Sequence, residues 1–188
     1  MLRKIWHFVR WPLAFLVVAY AVLVAFRIPA VGEKQRTADT IAAIQSQKIT
    51  LADVDGTNLP PQPYEPENDA TVAGIDKNNN GIRDDVELAI FAKYPNSAKI
   101  RAAELQYAMA LQIMITQVFN TDTWKVAAYN YSRGDDCLSD PIRKKEVEAL
   151  VLNIESRQTA EDTAFKFTTS LALPNANFCD IDLTSLPN

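Results

Sequence analysis

Ser97-Ala-Lys-Ile-Arg-Ala-Ala-Glu-Leu-Gln-Tyr-Ala-Met-Ala-Leu-Gln-Ile-Met-Ile-Thr-Gln-Val-Phe-Asn120 decides the fold. As a helix it is the longest of its domain, about 36 Å. From Tyr107 to Phe119 it is apolar nearly all round, which marks the buried centre of a bundle. Gln106, Gln112 and Gln117 argue against a membrane span here. The fold class that follows is mainly α. Toward the N-terminus, Asp85 to Lys93 reads as a helix that Tyr94-Pro95 stops. Toward the C-terminus, Thr123 to Ser132 reads as a short helix with Trp124, Ala127, Ala128 and Tyr131 on one side. Gly134 to Cys137 reads as a turn. Asp140-Pro141 opens another helix as cap and first residue. There Val147, Leu150, Val151 and Ile154 form an amphipathic stripe. Thr159-x-x-Asp162 resembles a capped start for a last helix, with Ala164, Phe165, Thr168 and Leu171 inward. Leu173 to Asn188 reads as irregular and held by Cys179.

One stretch specifies a ligand. Asp76-Lys-Asn-Asn-Asn-Gly-Ile-Arg-Asp-Asp-Val-Glu87 satisfies every fixed position of D-x-[DN]-x-[DN]-G-x₅-E. Calcium takes about 6–8 oxygen ligands, and a short loop supplies them by curling around the ion. Positions 1, 3 and 5 then point inward, here Asp76, Asn78 and Asn80. Gly81 makes the sharp turn with positive φ. Ile82 offers its backbone carbonyl, Asp84 binds directly or through water, and Glu87 closes the shell with two oxygens. Asn79 and Asn80 tolerate the left-handed region. Asp84 is placed to cap the following helix. The competing reading is an Asn-rich turn before a helix, its carboxylates placed for the helix dipole. Three carboxylates, offset in part by Lys77 and Arg83, point to a weak site, on the order of 10⁻⁴ M.

The loop resembles the EF-hand, and also the calcium loops of thrombospondin type 3 repeats and dockerins. The resemblance covers twelve of 188 residues. It implies one Ca²⁺ held by Asp76, Asn78, Asn80, Ile82, Asp84 and Glu87. Two features depart from the pattern. EF-hand loops carry an aliphatic residue at position 8, where this chain has Arg83, with Ile82 one place early. The flank from Pro66 to Gly74 is a poor entering helix. The expectation is half an EF-hand, loop then helix, with no second loop to pair with.

Residues 1–36 read as an N-terminal membrane anchor and its flank. Trp11 to Phe26 carries no charge, with Arg3, Lys4 and Arg10 before it and Arg27 after. Sixteen residues span about 24 Å, and Arg10 and Arg27 can snorkel to extend the span. The basic N-terminal flank places the rest of the chain outside the cytosol, facing the periplasm if the host is bacterial. Cleavage as a signal peptide and secretion is the alternative, with Ala19-Tyr-Ala21 or Ile28-Pro-Ala30 as sites. Residues 37–69 read as an extended linker: a short helix over 37–47, an extended segment from Lys48 to Val54, and a proline-rich spacer from Leu59 to Glu67. Residues 70–188 read as the exported helical domain.

Composition narrows the chemistry. Beyond residue 36 the chain has 13 Lys or Arg against 22 Asp or Glu, a net charge of −9. That balance leaves no electrostatic footprint for nucleic acid. Cys137 and Cys179, in an oxidising compartment, suggest one disulfide; two buried free thiols are the alternative. The only histidine is His7, which removes Ser-His-Asp and Cys-His catalysis from the domain. A carboxylate acid–base pair remains possible, with Glu104 the candidate to inspect; its ordinary reading is a solvated residue near a helix start. Arg143-Lys144-Lys145 reads as a solvated face. The function expected is that of a membrane-anchored, calcium-binding interaction module with an envelope protein partner. A carboxylate-dependent hydrolase on envelope polymers is the alternative.

Overall fold

The computed structural model describes the backbone of residues 2–172 and 178–188, and the side chains there except at 2–9, 26, 29 and 30. The chain is mainly helical: α1 (Leu2–Ser46), α2 (Leu51–Asp55), α3 (Glu65–Asn68), α4 (Asp84–Lys93), α5 (Ala98–Gln117), α6 (Thr121–Cys137), α7 (Pro141–Val151) and α8 (Glu155–Phe165), then a 3₁₀ turn, Leu183–Ser185. The described residues contain no strand. Two compact units result, Met1–Asp39 and Thr40–Asn188.

In the first unit, Trp11, Leu13, Phe15, Leu16, Val17, Val18, Tyr20, Val22, Leu23 and Val24 are all exposed. Among the described residues no helix is long and apolar enough to cross a membrane. The side chains of Arg3, Lys4, Trp6, His7 and Phe26 lie outside the described set.

The second unit is a bundle around α5. Ser97 caps that helix by accepting from the Ile100 N–H. Leu105, Tyr107, Ala108, Leu111 and Ile113 on it are fully buried, each large apolar one stabilising by roughly 1.5–3 kcal/mol. Around it pack α6, α7, α8, α4 and α2. The helix ends at Gln117, short of the expected Asn120, because Asn120 accepts from the N–H groups of Asp122 and Thr123 and so starts α6. In turn α6 outruns expectation at its far end. Gly134 is not a turn; it lets α6 approach α5, and a Cβ there would sit 3.1 Å from the Tyr107 Cα. Asp140 caps α7 as its sequence indicates. The last helix starts four residues before Thr159, after Ile154 with no side-chain cap. Ala164 on it is buried, but Phe165 is exposed.

Segment 37–69 is more structured than an extended linker. Residues up to Ser46 continue α1, the expected extended stretch holds α2, and Glu65–Asn68 makes one helical turn. Ile44, Ile49 and Val54 belong to the core. The glutamines of α5 serve as tethers: Gln106 holds the Phe178 carbonyl and the Asp180 N–H, and Gln112 holds the Ala73 carbonyl. Cys137 and Cys179 form a disulfide, Cα to Cα 5.1 Å. It joins α6 to the C-terminal segment. Residues 173–177 of that segment, read as irregular, lie outside the described set.

Candidate functional site

The loop from Asp76 folds on its own polar atoms. Asp76 accepts from two backbone N–H groups, Asn80 at Oδ1 (3.1 Å) and Gly81 at Oδ2 (2.9 Å). These bonds curl the chain, and Gly81 turns it at φ 86°. Asn79 takes the other left-handed position, φ 56°, a region that Asn tolerates. The Ile82 N–H donates to Asn80 Oδ1 (2.9 Å). Asp84 does not cap α4 with its side chain. The N-cap is Arg83, and Asp84 Oδ1 instead accepts from the Lys77 N–H (2.9 Å). The carboxylate thus ties the start of the loop to its end.

Glu87 enters from the first turn of α4 and is fully buried. Its Oε2 accepts from the Asn78 and Asn80 amides, at 3.0 and 3.1 Å. Among the described residues its Oε1 has no hydrogen-bond partner, and neither do Asp84 Oδ2 and Asn78 Oδ1. A buried acceptor without a donor costs about 1–3 kcal/mol, and this loop holds three. Burial pushes the Glu87 carboxyl up to about 7; the two amides oppose that shift, and the Asp53 and Asp84 charges add to it. Burial likewise raises Asp84.

The departure at position 8 has a structural cause. Ile82 is buried in the core, and Arg83, fully buried, docks the loop onto the end of α7. Its guanidinium pairs with Asp85 and donates to the carbonyls of Leu150 (2.7 Å) and Val151 (3.0 Å). Those carbonyls lie in the last turn of α7, where a cation is favoured. Arg157, also fully buried, holds the chain ahead of the loop through Asp69 and the carbonyls of Asn68, Thr71 and Val72. Gly74 passes so close to Arg83 that a Cβ would lie 2.2 Å from the Arg83 Cδ. Two arginines and a glycine thus replace the missing entering helix.

Of the six expected residues, Asn78 and Asn80 meet Glu87, Asp76 and Ile82 bond to Asn80, and Asp84, the first residue of α4, bonds to Lys77 instead. The fold also brings a neighbour that the motif does not contain. Asp53 of α2 is buried and accepts at Oδ1 from Asn58 (2.8 Å) and Asn80 (3.4 Å). Its Oδ2 accepts from the Thr50 N–H and hydroxyl. Burial pushes Asp53 up, but the bonds from Thr50, Asn58 and Asn80 outweigh it and hold the carboxyl below its usual value. The sequence signal was the Thr50-x-x-Asp53 spacing of a capping box, which marks a helix start and says nothing of the loop. Among the described residues no three His, Cys, Asp or Glu side chains form a group that could hold a metal. An ion here needs the Asn and backbone oxygens as well, which suits a hard cation.

Glu104 departs from its expected solvated position. It is 3% exposed on α5, with Oε1 unpartnered. Burial raises its carboxyl to about 7 against the opposing pull of Arg143 and Lys93. Arg143 and Lys144 of the basic run are half-buried rather than a free surface, and Lys144 pairs with Asp135 (2.6 Å). No protein family, curated protein or solved structure matches this chain.

Proposed function

We propose that residues 76–87 bind one calcium ion, and that the protein is a membrane-anchored, exported helical module that docks an envelope partner. The observation that carries the metal is the set of three unpartnered oxygens, Asn78 Oδ1, Asp84 Oδ2 and Glu87 Oε1, within one twelve-residue loop. Bound calcium supplies positive charge to oxygens that have no donor. It makes the charged form of Glu87 favourable. Asp76 holds the curl, Asp84 ties the loop's ends, and the Ile82 carbonyl and Asn80 complete the donor set. The loop resembles an EF-hand in its spacing and differs from one in its arginine scaffold.

Anchoring rests on residues 11–26, whose described side chains are largely apolar and exposed. Exposed apolar surface on this scale marks contact with a membrane or a protein. The Cys137–Cys179 bond supports an oxidising compartment. The hydrolase reading would need Glu104 at a surface groove; its burial favours the module.

Thermal melts of the full chain in detergent test the metal. At calcium about 100 times the dissociation constant, linkage stabilises the folded state by ~2.7 kcal/mol. Chelation should lower the melting temperature by several degrees, and Glu87→Gln should erase that difference. Coincident melts with calcium and with chelator would remove the calcium reading.

A further inference from the structure

We propose that the cation site has a second wall, formed by Asp53 and the Asn58 carbonyl, so that calcium clamps the segment after α1 onto the loop. The inference rests on the calcium reading and extends it to a region outside the motif.

Two amide groups stand between the walls. Asn78 Nδ2 donates to Glu87 Oε2 (3.0 Å) and to the Asn58 carbonyl (2.7 Å). Asn80 Nδ2 donates to Glu87 Oε2 (3.1 Å) and to Asp53 Oδ1 (3.4 Å). Each NH₂ therefore bridges the loop glutamate and the 50–58 segment. The acceptors around them are one neutral carbonyl and two carboxylates. Donor amides serve that role only in part, because Glu87 Oε1, on a side chain with no solvent exposure, is left without a partner. A cation between the walls answers the same acceptors with full charge. The Asn78 amide can turn about its last side-chain bond: its Oδ1 has no bond to lose, and the two Nδ2 bonds given up, to Glu87 Oε2 and the Asn58 carbonyl, free acceptors that the cation then takes. That rotation aims an oxygen where a donor now points.

An open cleft of ≈ 330 Å³ leads to this place, lined by Ser46, Gln47, Thr50, Asp53, Asn78 and Asn80 among others. It has room for entry and for the waters that complete a calcium shell. Lys48 is its one cationic lining residue, and it is exposed. Asp53 adds a carboxylate across the Asn80 amide from Glu87, and its charge adds to that of the loop. It also gives the ion a structural task. Asp53 lies in α2 and Asn58 ends the turn that follows it, so the ion fixes where the chain runs before the loop.

The experiment uses the full chain in detergent, titrated with calcium by calorimetry and digested by trypsin with calcium or chelator. Asp53→Asn should weaken calcium binding by about tenfold, because ligand charge sets affinity. Asp55→Asn, an exposed carboxylate on the same helix, should leave it unchanged. In the wild type, chelation should speed cleavage after Lys48 severalfold, a readout that needs no variant. If the wild type binds calcium, and Asp53→Asn binds within twofold of it or the Lys48 cleavage ignores calcium, the second wall is wrong and the loop reading stands. If the wild type binds no calcium, both fall.

Discussion

Glu87 and Glu104 are both sealed inside the helical unit, at 0% and 3% exposure, and their surroundings are opposite in kind. Burial raises each carboxyl to about 7, and each has an unpartnered Oε1. Around Glu87 the charged neighbours are Asp53 and Asp84, which push its proton affinity up further. Around Glu104 they are Arg143 and Lys93, which pull it down, with the Tyr94 side chain helping and Glu146 opposing. Lys93 is paired with Glu146, and both Lys93 and Arg143 lie over the Tyr94 ring. Glu87 therefore lacks a cation, and Glu104 already has two nearby. A buried carboxylate alone does not mark a metal site; the charge of what faces it does.

The largest expected effect comes from removing the scaffold on one side of this comparison. Arg83→Met leaves Asp85 and the carbonyls at the end of α7 without their buried donor. Loss of one partner of a buried pair costs about 3–5 kcal/mol. The partial exposure of Asp85 places the expected loss at the low end. Chemical denaturation of the full chain in detergent measures it. The contribution of Glu104 to the pH dependence should survive, since Arg83 does not face that residue. A loss below ~1 kcal/mol would mean that the loop holds its shape without Arg83.

The next effect separates the two glutamates by pH. Each has a folded-state value above its ordinary 4.5. The folded state therefore binds the proton more tightly than the unfolded chain does. Stability is fully present below about pH 4.5 and is lost as pH rises through about 7. Per group the loss is on the order of 3 kcal/mol. Glu104→Gln removes the penalty at one site. Its gain over wild type should be near zero at pH 4 and approach about 3 kcal/mol at pH 8. Saturating calcium should leave that gain intact while cancelling the share due to Glu87. A gain that does not change with pH would show that Glu104 titrates normally.

The comparison also explains what could be read from the residues alone. The curl from Asp76 to the turn at Gly81 is legible because its hydrogen bonds close within a few residues of chain, whereas Asp84, read as a helix cap, bonds back to the Lys77 N–H. The burial of α5 was legible for Tyr107 to Ile115 because apolar residues crowd every face. The burial of Arg83 and Arg157 is not legible, because the carbonyls that seat them lie 67 to 89 residues away. Only the assembled bundle supplies those carbonyls. Glu104 was misjudged for the same reason: its cations come from α4 and α7, and no local pattern announces them. Asp53 was hidden differently. Its capping bonds to Thr50 are local, while the contact with Asn80 crosses 27 residues. Helix α6 runs longer than its sequence suggests because Gly134 reads as a break, whereas it is where two helices touch.

The smallest effect tests whether the cations near Glu104 act on it. Arg143 is half-buried, lies 5.6 Å above the Tyr94 ring and makes a long contact of 3.5 Å with Asp140. Its charge lowers the proton affinity of Glu104 without a direct hydrogen bond. Arg143→Gln removes that charge and keeps a polar side chain. At pH 8, where Glu104 is largely ionised, the variant should lose about 0.5–1 kcal/mol, as a partly screened charge interaction does. At pH 4, with Glu104 protonated, the part of the loss that belongs to this pair should vanish. The same substitution in the Glu104→Gln background should cost correspondingly less at pH 8, so a double-mutant cycle isolates the pair. Calcium affinity should not change, because Arg143 faces Glu104 and not the loop. Equal costs in both backgrounds would mean that Arg143 acts only through Tyr94 and Asp140. Lys93 would then be the one cation left to act on Glu104, and the contrast with Glu87 would rest on Lys93 and the Tyr94 side chain.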